Sequence, residues 1–216
     1  MSSRSFIPVG LALATLAFAS AAEARPHNPN AGQRHDPGHF FVRLSGGFGF
    51  SSATFDDPGE TTLSGFGGMG SFKFGATIAR NVALGVDLFG LSMFEPSVTV
   101  NGDDLGSAEG TRASMGAIGL GGTFYIMPAN LYIAASAGVG LGTIEFRGRF
   151  GGIVVTSEED SRPGFAANVM IGKEWWVSRK WGIGLAGQLI FASLETDDDV
   201  GLGVFGAGLL FSATMN

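Results

Sequence analysis

The chain has 216 residues, of which 36 are glycine and none is cysteine; 45% are hydrophobic, 15% are charged, and the formal net charge is −6. Without cysteine there is no disulfide scaffold, thiol nucleophile or thiolate metal site. Interior glycine costs a helix about 1 kcal/mol each, which disfavours a helical bundle; glycine does not recur at every third residue as collagen needs, and the chain is too apolar for disorder.

Residues 1–24 read as a secretory signal peptide. Arg4 supplies the positive start, an apolar run extends from Phe6 to about Ala22, and Ala22-Glu23-Ala24 is a small-x-small cleavage site. The competing reading is a membrane anchor, but the run is short for a span and contains Pro8. No later stretch offers 18 uninterrupted apolar residues, so the mature chain is expected to have no transmembrane helix. An exported chain of positive mean hydropathy without a spanning helix points to the bacterial outer membrane.

Residues 25–39 are a polar arm, expected to be periplasmic, which carries all three histidines: His27, His35 and His39. A metal site there competes with a flexible linker. The linker is the expectation, because nothing on such an arm fixes the spacing of three ligands.

From Phe40 onward the apolar period is two. Phe40, Val42, Leu44, Gly46, Phe48 and Phe50 share one face, and Phe41, Arg43, Ser45, Gly47, Gly49 and Ser51 share the other. The pattern recurs about eight times, predicting strands near 40–52, 65–78, 82–94, 114–126, 131–145, 164–176, 181–193 and 200–214. Segments 53–64, 95–113, 146–163 and 194–199 are long polar connections; 79–81, 127–130 and 177–180 are short turns. Long and short connections alternating over an even number of strands predict an all-β fold, an eight-stranded antiparallel up-and-down transmembrane β-barrel over residues 40–216.

The faces decide the solvent. Val82, Leu84, Val86 and Leu88 oppose Gly85 and Asp87, and Trp181, Ile183, Leu185 and Leu189 oppose Gly182, Gly184 and Gln188. An eight-stranded lumen is narrow and filled by side chains. Columns of Phe and Leu therefore face lipid, and Gly, Ser and a few polar groups face inward. Glycine on the inner parity, as at Gly75, Gly119 and Gly138, leaves room for a small barrel to close.

Face and turn length together predict lumen pairs. Ile78 is set opposite Val82 and Lys73 opposite Asp87; Glu174 opposite Gly182 and Asn168 opposite Gln188; and Tyr125 opposite Tyr132. Arg43 and Glu174 are expected to meet across the lumen. These groups form either an ion gate or a polar core that satisfies itself, and the plugged core is the expectation.

Trp175, Trp176 and Trp181 flank one short turn and predict an aromatic girdle at the membrane interface, with Lys173 reaching the headgroups beside them. A sugar-binding cluster is the alternative. Of the 19 acidic residues, 14 lie in the long connections, among them Asp56, Asp57, Glu60, Glu109, Glu158, Asp197 and Asp198. They read as solvated loop surface; divalent cations, bridging to lipopolysaccharide phosphate, are the competing ligand. No resident metal or cofactor is expected, and the acidic charge gives no sign of a nucleic-acid partner. Gly65 to Gly70 matches G-x-G-x-x-G, but Phe72-Lys73-Phe74-Gly75-Ala76, just after it, reads as a strand rather than a helix. Every histidine precedes residue 40, so no Ser-His-Asp set is available and no enzymatic activity is expected.

Over residues 40–216 the pattern resembles the eight-stranded OmpA/OmpX-like outer-membrane barrels. Gly172-Lys173-Glu174-Trp175-Trp176-Val177 and Trp181-Gly182-Ile183-Gly184 look like barrels of myxobacteria-like Gram-negatives. The resemblance implies a role in envelope integrity, adhesion or small-solute passage. It also implies a terminal-strand aromatic read during assembly; the last residues, Phe211-Ser212-Ala213-Thr214-Met215-Asn216, lack one at the end, so that role is expected to fall to Leu209 and Phe211 instead. The resulting expectation is a monomeric barrel in outer-membrane lipid and lipopolysaccharide, structural or interacting through its acidic loops, with a narrow channel as the alternative.

Overall fold

The computed structural model describes residues 35–56, 60–108, 110–127, 129–150, 153–196 and 199–215. Residues 1–24, expected to be a signal peptide, the arm as far as residue 34, Asp57, Glu109, Asp197, Asp198 and the side chain of Glu158 lie outside the described residues.

Alternation of apolar and small residues gives eight long strands: β1 (Phe40–Phe55), β2 (Thr61–Ala79), β3 (Val82–Phe94), β6 (Thr111–Ile126), β7 (Leu131–Phe150), β9 (Arg162–Trp176), β10 (Trp181–Glu195) and β11 (Gly201–Met215). Each pairs antiparallel with its chain neighbours, and β1 pairs β11 from Val42↔Met215 to Phe55↔Leu202. That last pairing closes the sheet and removes its exposed edges.

Two expected loops hold further strands. Segment 95–113 contains a hairpin, β4 (Ser97–Val100) and β5 (Asp103–Ser107), with β4 on the outer end of β2. Its turn is Asn101-Gly102, with φ of 51° and 88°. Asn-Gly is the pair that tolerates two successive left-handed residues. Segment 146–163 holds β8 (Ile153–Asp160), which continues the β7 hairpin beyond the barrel.

Phe48, Phe66, Leu120, Ile171, Leu209 and Phe211 are each more than 60% exposed, and the same parity is exposed on all eight long strands. An apolar surface of this extent is stable against hydrocarbon rather than water. The glycine inventory is split between the faces. Inside, Gly119 faces Gly138, and a Cβ on Gly138 would lie 2.0 Å from the Ile118 carbonyl oxygen. Outside, Gly46, Gly70, Gly90 and Gly116 form one row across four strands.

Two registers differ from expectation. Thr77 pairs Ala83 and Ala79 pairs Val82, so Ile78 is an extra residue in a β-bulge rather than opposite Val82. Below the bulge Lys73 still faces Asp87. On β10, Gly182 pairs Trp176, Gly184 pairs Glu174, Gln188 pairs Met170 and Ile190 pairs Asn168. The Ser178 hydroxyl accepts the Trp181 N–H at 3.1 Å, which widens the turn and starts pairing two residues later. A two-residue shift leaves every side chain on its predicted face.

Candidate functional site: the lumen and its long-loop mouth

At the short-turn end, β1 carries Arg43 inward and β9 carries Glu174 toward it. Arg43 Nη2 and Nε donate to Glu174 Oε1 at 2.9 and 3.1 Å, and the Thr214 hydroxyl donates to the same oxygen at 2.6 Å. Tyr125 and Tyr132 face each other across β6 and β7, as predicted. The Arg43 guanidinium carbon lies 3.7 Å from the Tyr132 ring centroid and 5.3 Å from that of Phe41. A cation among ring faces gains quadrupole attraction that partly offsets its lost hydration. Gly172 makes the space for this: a Cβ there would meet the Tyr132 ring at 2.6 Å.

Lys73 and Asp87 occupy the next part of the lumen, Nζ to Oδ2 3.4 Å apart. Asp87 Oδ2 also accepts Asn168 Nδ2 at 3.1 Å and the Ser136 hydroxyl. Gln188 Nε2 donates to Asn168 Oδ1 at 2.9 Å, so this expected pair meets diagonally rather than directly opposite. Arg43 and Lys73 are themselves cross-strand neighbours. Two cations and two carboxylates thus share the section and their charges cancel. All four side chains are at most 3% exposed.

Below this section sits His35, which sequence reasoning left on a flexible linker. It is buried, stacked on Tyr125 with ring centroids 3.4 Å apart, and its Nε2 lies 3.3 Å from Asn130 Oδ1. Backbone bonds fasten the arm: Gly38 N–H to the Thr77 carbonyl, Thr77 N–H to the His39 carbonyl, and Asn81 N–H to the His35 carbonyl. Burial drives the His35 pKa down to about 4, against the opposing hydrogen bond with Asn130. Trp176, expected in the girdle, points to this end of the lumen instead, its ring 5.3 Å from His35. Its parity is that of Glu174, and the docked arm gives the indole the His35 ring to pack against. Trp175 is exposed on the outer face, Trp181 is half-buried on the same parity, and Lys173 Nζ reaches the Ala129 carbonyl at 2.6 Å.

The long-loop half of the lumen is the main departure from the predicted polar interior. It is lined by buried apolar side chains, including Met69, Phe89, Leu91, Met93, Met115 and Leu194. The outer end of β3 carried the signal: Phe89, Leu91 and Met93 put large apolar side chains on the inward parity. Here the side chains leave a cavity of about 410 Å³. Glu159, Asp160, Ser161 and Thr196 form its rim. Among the described residues no group of three or more metal-ligating side chains is gathered.

Eight up-and-down strands, a lipid-compatible exterior and a plugged lumen settle the architecture. The chain is a closed eight-stranded antiparallel β-barrel. No protein-family model and no curated protein matches this barrel. Solved structures similar to it include OprG from Pseudomonas aeruginosa, at 13% identity over 84% of this chain and 98% of that one, with a TM-score of 0.46. Neisserial surface protein A is 14% identical over 79% and 95%, with a TM-score of 0.44. The outer membrane protease OmpT of Escherichia coli is 9% identical over 83% and 97%, also at 0.44.

Proposed function

We propose that this barrel sits in the bacterial outer membrane as a monomer that carries no current and does no chemistry, and that it acts structurally or by binding at its loop-bearing outer end. The observation that carries the reading is the filled section of the lumen: Arg43–Glu174 and Lys73–Asp87–Asn168–Gln188 form consecutive hydrogen-bonded layers, with His35 and Tyr125 stacked beneath them. An ion crossing this section would have to break charge-assisted bonds in a low-dielectric site, each costing more than an exposed one. Long connections face outward and short turns inward in such barrels, which orients the acidic residues to the cell exterior. Lipopolysaccharide, with divalent cations shared between its phosphates and loop carboxylates, is the partner that this charge suits.

Single-protein recording in planar bilayers tests the reading. Purified barrel should give no unitary current, and Asp87→Ala should not create one at moderate voltage. Steady unitary steps whose size changes in Asp87→Ala would establish the narrow channel instead.

A further inference from the structure

The inner half of the lumen is filled to closure with Arg, Tyr, Phe and Gln, yet the outer half is hollow. The difference lies in side-chain size. Ala53 and Ala113 face inward where longer residues would fill the space, so the walls set by Leu91, Met93, Leu202 and Val204 enclose a cavity of about 410 Å³. Closing the barrel does not require that space, and apolar walls left against water cost about 25 cal/mol per Å². A cavity of 150 Å³ accepts benzene, and small-molecule sites span roughly 300–1,000 Å³. Two fused rings fit here; a whole membrane lipid does not.

Charge at the mouth selects the head group. Among the described residues, the ionisable ones lining the cavity are Glu159 and Asp160, both exposed at its rim. Asp160 is held there by the Thr143 hydroxyl, which donates to its Oδ1 at 2.7 Å. Arg162, close by in sequence, is paired with Asp199. An apolar hollow under two carboxylates favours a compact molecule with an apolar body and one cationic end, and disfavours an anionic amphiphile.

We infer that the long-loop half of the lumen is a binding site for small cationic amphiphiles, amines carrying one or two rings, which enter apolar end first and leave the ammonium at Glu159 and Asp160. The inference deepens the outer-end binding role proposed above and rests on it.

The test uses the whole barrel in zwitterionic nanodiscs, with 2-naphthylmethylammonium as probe and 2-naphthylacetate as its charge-reversed counterpart. Empty nanodiscs correct for partitioning. Titration calorimetry should show saturable one-to-one binding of the amine and at least tenfold weaker binding of the acetate. Ala113→Phe and Ala53→Phe, on different strands, should each weaken the amine at least tenfold, and Asp160→Asn several-fold. In wild-type protein labelled at the methionine methyls, Met93 and Met115 should shift on adding the amine while Met170, buried in the inner half, stays still; this readout needs no variant to fold. Absent saturable binding, silent Met93 and Met115 methyls, unchanged affinity in both Phe variants, or preference for the acetate would each overturn the inference. A barrel that conducts yet shifts these methyls would remove the proposed function and leave this site standing. A non-conducting barrel whose methyls do not respond would do the reverse.

Discussion

Arg43 shows how a buried charge is tolerated in a barrel this narrow. Its guanidinium donates through Nε and Nη2 to Glu174 Oε1, Thr214 and Tyr125 and lies over the face of Tyr132, while Nη1 is buried without a hydrogen-bond partner; Thr214 shares the same carboxylate oxygen. Removing one partner of such a pair strands the other without water, at a cost of about 3–5 kcal/mol, whereas replacing both with apolar residues of similar volume is often neutral. Arg43→Met and Glu174→Met should each lower unfolding stability by that amount in urea titrations of the folded barrel, and the double variant should recover most of the loss. Single variants as stable as wild type would show that the pair is not desolvated. The encounter was legible in the sequence because period two places both residues inward near the same end. The diagonal Gln188–Asn168 bond was legible only as shared face: the extra length of the Ser178 turn comes from a side chain bonding its own backbone, and spacing does not reveal it.

At the scale of elements, the long strands were readable because each has one apolar face. The β4–β5 hairpin was missed although Asn101-Gly102 announced it; its strands, four and five residues long, are too short for alternation to register. The docked arm was missed for a deeper reason. His35 is held by Tyr125, Asn130 and Trp176, contacts made on three other segments, and nothing local to residues 25–39 encodes them. The arm carries a pH dependence of definite sign. Undocked, His35 titrates near the ordinary 6.5; docked, burial holds it at about 4. The undocked state binds more protons, so docking is fully favoured above about pH 6.5 and weakens as pH falls from there toward 4. By pH 5 the docking equilibrium should fall about thirtyfold. With Trp175 and Trp181 replaced by Phe, the remaining Trp176 reports the contact. Its emission should shift toward that of a wetter indole over this range, and His35→Phe should make the profile flat. A flat profile in the protein retaining His35 would mean that the arm does not release on protonation.

For the whole molecule, three solvents meet one chain. Lipid faces the outer parity, a dry polar section closes the inner half of the lumen, and an apolar hollow opens among acidic loops at the other end. Sequence alternation separated the first from the rest, but a period of two identifies the inward parity without saying that its outer half is lined by Met, Leu and Phe rather than by polar groups. The tryptophans give the arrangement a decisive measurement, because Trp175 and Trp176 are adjacent in sequence and opposite in environment. Trp175 is 47% exposed on the outer face, with Lys173 Nζ 5.5 Å from its ring, whereas Trp176 packs beneath the lumen against His35. Aromatic residues on the lipid face of a barrel concentrate at the headgroup level. In bilayers containing lipids brominated near the headgroup, a variant retaining only Trp175 should lose most of its fluorescence, and one retaining only Trp176 should keep most of it. The ordering comes from strand parity alone, so it does not depend on what the loops bind. Equal quenching of the two would mean that β9 does not present alternate faces to lipid and lumen, and the membrane-embedded barrel would have to be abandoned. Strong quenching of Trp176 alone would mean the barrel is turned inside out, with a polar exterior and an apolar core, as in a soluble ligand carrier.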